Sequence, residues 1–329
     1  MKIVNGISRA IIAVPYLICG LALGQGEEEE YITHEVRRGE TVSLLCIELY
    51  GHYSPQMGEA VRSLNPSVKD INLIYAGQKL KMRNPRSTAK PQARQNTVLE
   101  KKEGVTQGVV TYVEGAATVS AADGKAAKKK LTANTVVGAG DVLETGKDGR
   151  VELIINRESV VRMRSNSRCA VASLRDNARG AGATTVKFSL GTVWAKVKKF
   201  SDAVSRFQLE LPTAVAGVYG TVYQTSVAAD NSAEVKVYDG EVAVKGRRTV
   251  AEEAAAGGLT EVEGPHEVAG PHEVSMEEWT QIVRSMQRIR IGKDGAASTP
   301  ESFEKAVDDW EKWNEERDKR IAEMFEQEF

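Results

Sequence analysis

Four histidines are the first residues to test for metal or acid–base chemistry: His34, His52, His266 and His272. Zinc hydrolases place two His on one strand or helix face, as H-x-H or H-E-x-x-H, and the sequence contains neither spacing. His266-Glu267 and His272-Glu273 recur in a short direct repeat, GPHEVA followed by GPHEVS. Six extended residues span about 20 Å, too far for one coordination sphere. The repeat therefore reads as a docking strap. Cys46 lies at core spacing in a helical pattern, and Cys169 lies in a β-rich stretch with no His within reach in sequence. Neither has the electropositive setting of a reactive thiolate, so both are expected to be small buried apolar residues. Gly124-Lys125-Ala126 lacks the glycine and the Ser/Thr of a phosphate loop, and Lys128-Lys129-Lys130 reads as a solvated turn. The expectation is a protein that is not an enzyme, with no metal and no cofactor.

The elements that must position any site divide the chain into stretches of different period. Residues 1–24 read as a secretory signal, with Lys2 and Arg9 ahead of an apolar run and Ala22-Leu23-Gly24 as the cleavage site. That run is shorter than the roughly 20 residues a membrane-spanning helix needs, so no transmembrane anchor is expected after cleavage. Cys19 follows the bulky Ile18 rather than a small residue, which argues against lipidation. The product is then exported, to the periplasm or cell envelope. Loss of Lys2 and Arg9 takes the basic count from 44 to 42 against 45 acidic residues, which supplies no electrostatic reason to expect nucleic acid.

Residues 31–82 alternate like a strand, then show helical spacing twice, then alternate again. Thr41 suits the first helix N-cap and Gly51 its stop, while Asn65-Pro66 ends the second helix. Residues 83–104 form a polar linker. From 105 to 250 the period is two, with short Val-, Thr-, Ile- and Tyr-rich runs predicting an all-β sandwich, roll or solenoid-like stack. The candidate strands include Thr185 to Phe188, Val193 to Val197, Thr221 to Val227, Glu234 to Tyr238 and Glu241 to Lys245. The strap covers 251–274. C-terminal helices are expected over 275–329: one opened by a Ser275-x-x-Glu278 capping box and running to about Ile289, another starting at Thr299-Pro300 and running to the end. The fold class is α+β and multidomain.

The segments HEVRRGETVSLLCIELYG and LNPSVKDINLIYAGQKLKM carry a resemblance to the LysM family over 31–82. It rests on the Gly39-Glu40-Thr41 turn, the Tyr50-Gly51 helix end, the Leu64-Asn65-Pro66 break and the closing Asn72 to Leu80 segment. The resemblance implies a β-α-α-β fold that binds peptidoglycan or a chitin-like glycan in a shallow groove. The residues it assigns to glycan binding are Gly39, Glu40, Thr41 and Val42 on one side, and Ile74, Tyr75, Ala76 and Gly77 on the other. Arg38 and Ala76 stand where the family commonly has proline. From Gly108 to Val244 the chain resembles the FecR-type periplasmic domain, through the Gly140 to Gly146 turn, Leu190-Gly191-Thr192-Val193, LPTAVAGVYGTVYQ and VYDGEVAV. Asn156-Arg157-Glu158 replaces the usual Asp-Gly turn. FecR-type regulators join this domain through a membrane helix to a sigma-factor-binding part; neither is read here, so transmembrane signalling is not carried over.

Two functions follow as expectations. In one, the protein is a non-catalytic envelope component that binds N-acetylglucosamine-containing glycan and presents the β domain as a scaffold. In the other, it is an envelope sensor or assembly component whose main ligand is another protein. The terminal helix is expected to pack on the β domain or to self-associate, since Phe303, Val307, Trp310, Ile321 and Met324 form an apolar stripe interrupted by Asn314 and Arg317. Residues 301–329 hold eleven acidic and five basic side chains, a poor match to an anionic membrane.

Overall fold

The computed structural model describes residues 30–87, 106–123, 127–156, 159–176, 182–198, 206–246, 280–306 and 308–326. The signal segment, most of the linker, Gly124 to Ala126, the strap with His266 and His272, and the Ser275–Glu278 box lie outside the described residues.

The N-terminal unit runs β1 (Tyr31–Glu35), α1 (Val42–Tyr50), α2 (Pro55–Leu64) and β2 (Lys79–Arg83). β1 and β2 pair antiparallel, from Tyr31 opposite Arg83 to Glu35 opposite Lys79. Thr41 caps α1 by accepting from the Leu44 N–H, and Gly51 ends it in the left-handed region at φ 81°. Ser54 caps α2, with Pro55 in its first turn. Asn65 then fastens the end of α2 to β2: its Nδ2 donates to the Val61 and Lys81 carbonyls, and its Oδ1 accepts from the Lys81 N–H at 2.7 Å.

The β domain comprises β3 (Gly108–Glu114), β4 (Ala117–Ala121), β5 (Lys129–Lys130), β6 (Val136–Val137), β7 (Asp141–Thr145), β8 (Arg150–Ile155), β9 (Ser159–Met163) and β10 (Arg168–Asp176). It continues through β11 (Gly182–Val197), β12 (Arg206–Glu210), β13 (Ala214–Val227), β14 (Ala233–Gly246), β15 (Thr280–Arg284), β16 (Gln287–Ile291) and β17 (Glu301–Ser302). The last element is α3 (Asp309–Glu326).

Long strands turn the sheet into two layers around one core. The first half of β11 pairs with β10 and β12, and its second half with β9 and β13. β13 and β14 divide in the same way, β14 pairing with β16 through Ala233 to Val237 and with β15 through Glu241 to Lys245. At each corner the side-chain phase slips by one residue. Val186 and Phe188 of β11 face the core, then Val193 and Ala195; Val235 and Val237 of β14 do so, then Val242 and Val244. Gly191 and Gly240 sit at these slips with φ 94° and 83°, and a Cβ on Gly240 would stand 2.7 Å from the Gly220 carbonyl oxygen. The same slip explains why period-two reading splits β11 and β14 into separate strands.

Two expected helical stretches are built differently. Over its described part, the helix read from Ser275 to about Ile289 is β15 and β16, which together run antiparallel along β14. Val283, Ile289 and Ile291 enter the core, so completing the edge of β14 outweighs the local helix signal. The terminal helix starts at Asp309, not at Thr299-Pro300, because Glu301 and Ser302 pair with β16 first. Asp308 supplies the cap, its Oδ1 accepting from the Glu311 N–H at 2.8 Å.

The outer face of the second layer is covered. Val109, Ile154 and Val160 join the hydrophobic core of the N-terminal unit, together with Ile321 of α3. Trp194 and Tyr238 pack with Trp310 of α3, against which Phe303 and Trp313 lie. Coverage on both faces explains why β8 and β9 are buried at nearly every position.

Candidate functional site

The two loops named by the sequence lie at one end of the β1/β2 ladder. The Val36 N–H donates to the Gln78 carbonyl and the Gly77 N–H to the Val36 carbonyl, at 2.8 and 2.7 Å, which sets the turn after β1 beside the loop before β2. Within the loop before β2, Tyr75 is 67% exposed and Leu73 58%; Ala76 and Gly77 are exposed and Ile74 is half-buried against the core. A Cβ on Gly77, at φ 83°, would meet open space.

The other loop is largely closed. Val42 is a core residue, Thr41 is engaged as the helix cap, and Glu40 is buried. Glu40 accepts from the Arg37 N–H at 2.7 Å, lies 2.7 Å from His34 Nε2 and pairs with Arg320 of α3 at 2.9 Å. Burial alone would raise its pKa; the bonds from His34 and Arg37 and the Arg320 charge outweigh it and hold the carboxyl below its ordinary value. Arg320 also donates to the Arg38 carbonyl. The open face of Gly39 meets Arg317 and Arg320, whose guanidinium nitrogens stand 3.1 and 3.4 Å from where a Cβ would be.

Between the loops sits a residue of the β domain. Asn134 follows Leu131 in a turn before β6, in the left-handed region at φ 68°. Its Oδ1 accepts from the Ser43 N–H at 2.7 Å, and its Nδ2 donates to the Ile71 carbonyl at 3.2 Å and Asn72 Oδ1 at 2.9 Å. Ser43 Oγ, in turn, donates to the Val110 carbonyl at 3.4 Å. One carboxamide thus spans the first turn of α1 and the loop that leads to Tyr75.

A buried charge cluster joins α3 to the sheet. Glu152, Arg162, Trp194 and Gln224 stand opposite one another across β8, β9, β11 and β13. Arg162 Nε donates to Glu152 at 2.8 Å and its Nη1 to Asp318 at 2.6 Å; Arg317 reaches Glu152 through two nitrogens at 2.7 and 2.6 Å. Thr111 Oγ1 donates to Glu152, Trp194 Nε1 to Asp318, and Trp310 Nε1 to Gln224. Burial would raise the Glu152 pKa, but Arg317 and Arg162 drive it far below the carboxylate range. Sequence reading passed over these residues, treating Asn314 and Arg317 as breaks in an apolar stripe. Their signal was a charge in each of two otherwise apolar strands, VELII and SVVRM, opposite an equally charged helix face.

Among the described residues no group of three or more His, Cys, Asp or Glu could hold a metal. Cys46 and Cys169 are free thiols buried in separate cores, and burial raises both, Cys169 to about 12. Lys128 pairs with Glu144, and Asn156 takes the left-handed region at φ 50° to open the β8–β9 turn. No described helix is long and apolar enough to cross a membrane.

No curated protein matches the chain. Two crystal structures of a candidate anti-sigma factor from Parabacteroides distasonis ATCC 8503 are similar to it, each with 12% identity and a TM-score of 0.34, covering 49% of this chain and 59% of that one. This chain therefore spans less than two thirds of their length. The family model described as FecR protein matches residues 141–243, the stretch from β7 into β14. That part of the chain, from Asp141 to Ala243, is a FecR domain.

Proposed function

We propose that the protein is a non-catalytic component of the cell envelope whose N-terminal unit, of LysM type, binds N-acetylglucosamine-containing glycan such as peptidoglycan, with the FecR domain as the scaffold behind it. Export rests on the segment read as a signal at 1–24. The observation that supports glycan binding is the loop before β2, where Leu73 and Tyr75 stand exposed beside Ala76 and Gly77. A sugar ring needs an apolar or aromatic wall for its face, and an acetamido group needs one N–H donor and one carbonyl acceptor. A second reading, an envelope sensor or assembly component whose main ligand is another protein, draws support from the FecR match.

Sedimentation with excess insoluble peptidoglycan, at low salt, tests the proposal. The wild type or an Asn134→Gly chain is expected in the pellet, and adding Tyr75→Ala should weaken binding about tenfold, the equivalent of roughly 1.4 kcal/mol, with unchanged circular dichroism. If both parent chains stay in the supernatant with peptidoglycan and with chitin, glycan binding is wrong and the protein-ligand reading replaces it.

A further inference from the structure

We infer that Asn134 is an internal ligand of the N-terminal unit: its carboxamide takes the place of a sugar acetamido group in the cleft, so glycan and the β domain compete for the same backbone groups. The inference rests on the glycan reading above and adds a regulated state to it.

The chemistry of the two groups is the same. A carboxamide and an acetamido group each offer one carbonyl acceptor and an N–H donor at fixed spacing. Asn134 presents its acceptor to Ser43 N–H, one of the first-turn amides that a helix leaves without an internal partner. It presents its donor to the Ile71 carbonyl and to Asn72 Oδ1, on the opposing loop. These partners fix which end of the amide is which, since Ser43 N–H can only donate and the Ile71 carbonyl can only accept. Asn134 is 7% exposed, and its own N–H donates to the Val110 carbonyl at 2.8 Å, so the side chain is delivered by anchored backbone. Asparagine is also among the few side chains that tolerate the left-handed φ of 68° found there.

The surroundings make the closed state the resting one. Val109, Ile154 and Val160 pack against the core of the N-terminal unit on one flank, and Arg320 pairs with Glu40 on the other. A sugar that takes the Ser43 N–H must displace Asn134, and its apparent affinity falls by the fraction of molecules that are open. By reciprocity, bound glycan loosens the contact between the unit and the FecR domain. Glycan occupancy would thereby be reported to the β domain as undocking.

Calorimetric titration of the processed full chain with the N-acetylglucosamine tetramer tests the competition. Asn134→Gly keeps the left-handed backbone and removes the carboxamide, and should bind at least about tenfold more tightly than wild type. Equal or weaker binding by a variant that melts like wild type would overturn the competition and leave glycan binding standing. Binding by neither chain would overturn both. Should the variant not fold, hydrogen exchange on the wild type decides. Saturating tetramer should speed exchange in Val109–Val110 and Thr132–Thr135, whereas unchanged or slower exchange there would mean the sugar binds without displacing the turn.

Discussion

Glu152 is a carboxylate with no exposed side-chain surface, held between Arg162 and Arg317. Its folded pKa is depressed, so its contribution to stability is present above the unfolded value of about 4.3 and is lost as pH falls toward the folded value. Urea midpoints of the wild type should therefore fall from pH 5 downward, while Glu152→Gln, already weaker at pH 7, should show a shallower fall. Glu40 is depressed as well and leaves a residual slope in that variant. Glu152→Leu, which abandons two buried guanidiniums, should cost about 3–5 kcal/mol at pH 7, read as a lowered midpoint at constant slope. The thiols give a second residue-scale test. Cys46 and Cys169, buried and with raised pKa, should resist an aromatic disulfide reagent in the native chain and react in 6 M guanidinium. Rapid native labelling of either would contradict its burial.

At the scale of elements, α3 covers what would otherwise be a wet aromatic and charged sheet face. Trp310 is buried against Trp194 and Tyr238, and Tyr238 donates its hydroxyl proton to Glu311 at 2.6 Å. A chain ending at Asp308 should melt about 10 °C lower and bind a hydrophobic dye, because Trp194 and the Glu152–Arg162 pair become exposed together. An unchanged melting curve would show that α3 contributes little to the fold. The helix itself was legible from its acidic, amphipathic pattern. Its start was not, because Glu301–Ser302 satisfy a strand edge before Asp308 begins the cap. β15 and β16 were misread for a related reason: the described part of the expected helix, from Thr280 to about Ile289, was claimed by the open edge of β14.

In the whole molecule, the N-terminal unit, the β domain and α3 share contacts instead of hanging on a linker. Ile321 packs in the N-terminal core while Arg317, about one helical turn earlier in α3, holds Glu152 of the sheet, and Asn134 closes the contact from the third side. Of the four tryptophans, Trp194 lies in the sheet and Trp310 and Trp313 in α3, and none lies in residues 31–82, so tryptophan fluorescence does not report on α1 and α2, whereas helical circular dichroism does. The two denaturation curves should coincide in the wild type. Ile154→Asp, which puts a charge into the shared interface, should separate them, with part of the helical signal lost first. Coincident curves in that variant would mean the docking surface contributes little to cooperativity.

Sequence alone determined whatever depends on neighbours along the chain. Thr41, Gly51 and Asn65 bound the helices of the N-terminal unit because capping and left-handed stops are local chemistry. The period-two runs predicted a β-rich second part, and the turn and strand motifs between Gly140 and Val244 carried the FecR resemblance that the match to 141–243 supports. Tertiary structure decided what depends on partners distant in sequence. Glu152 and Arg317 are 165 residues apart, and Arg317 reads in sequence only as a break in a stripe; packing makes the two one buried ion pair. Ser43 and Asn134 are separated by 91 residues, and nothing local to either predicts that the Asn134 carboxamide oxygen would accept from the Ser43 N–H. Backbone groups left open at a helix start are visible in sequence, but which group satisfies them is chosen by the fold.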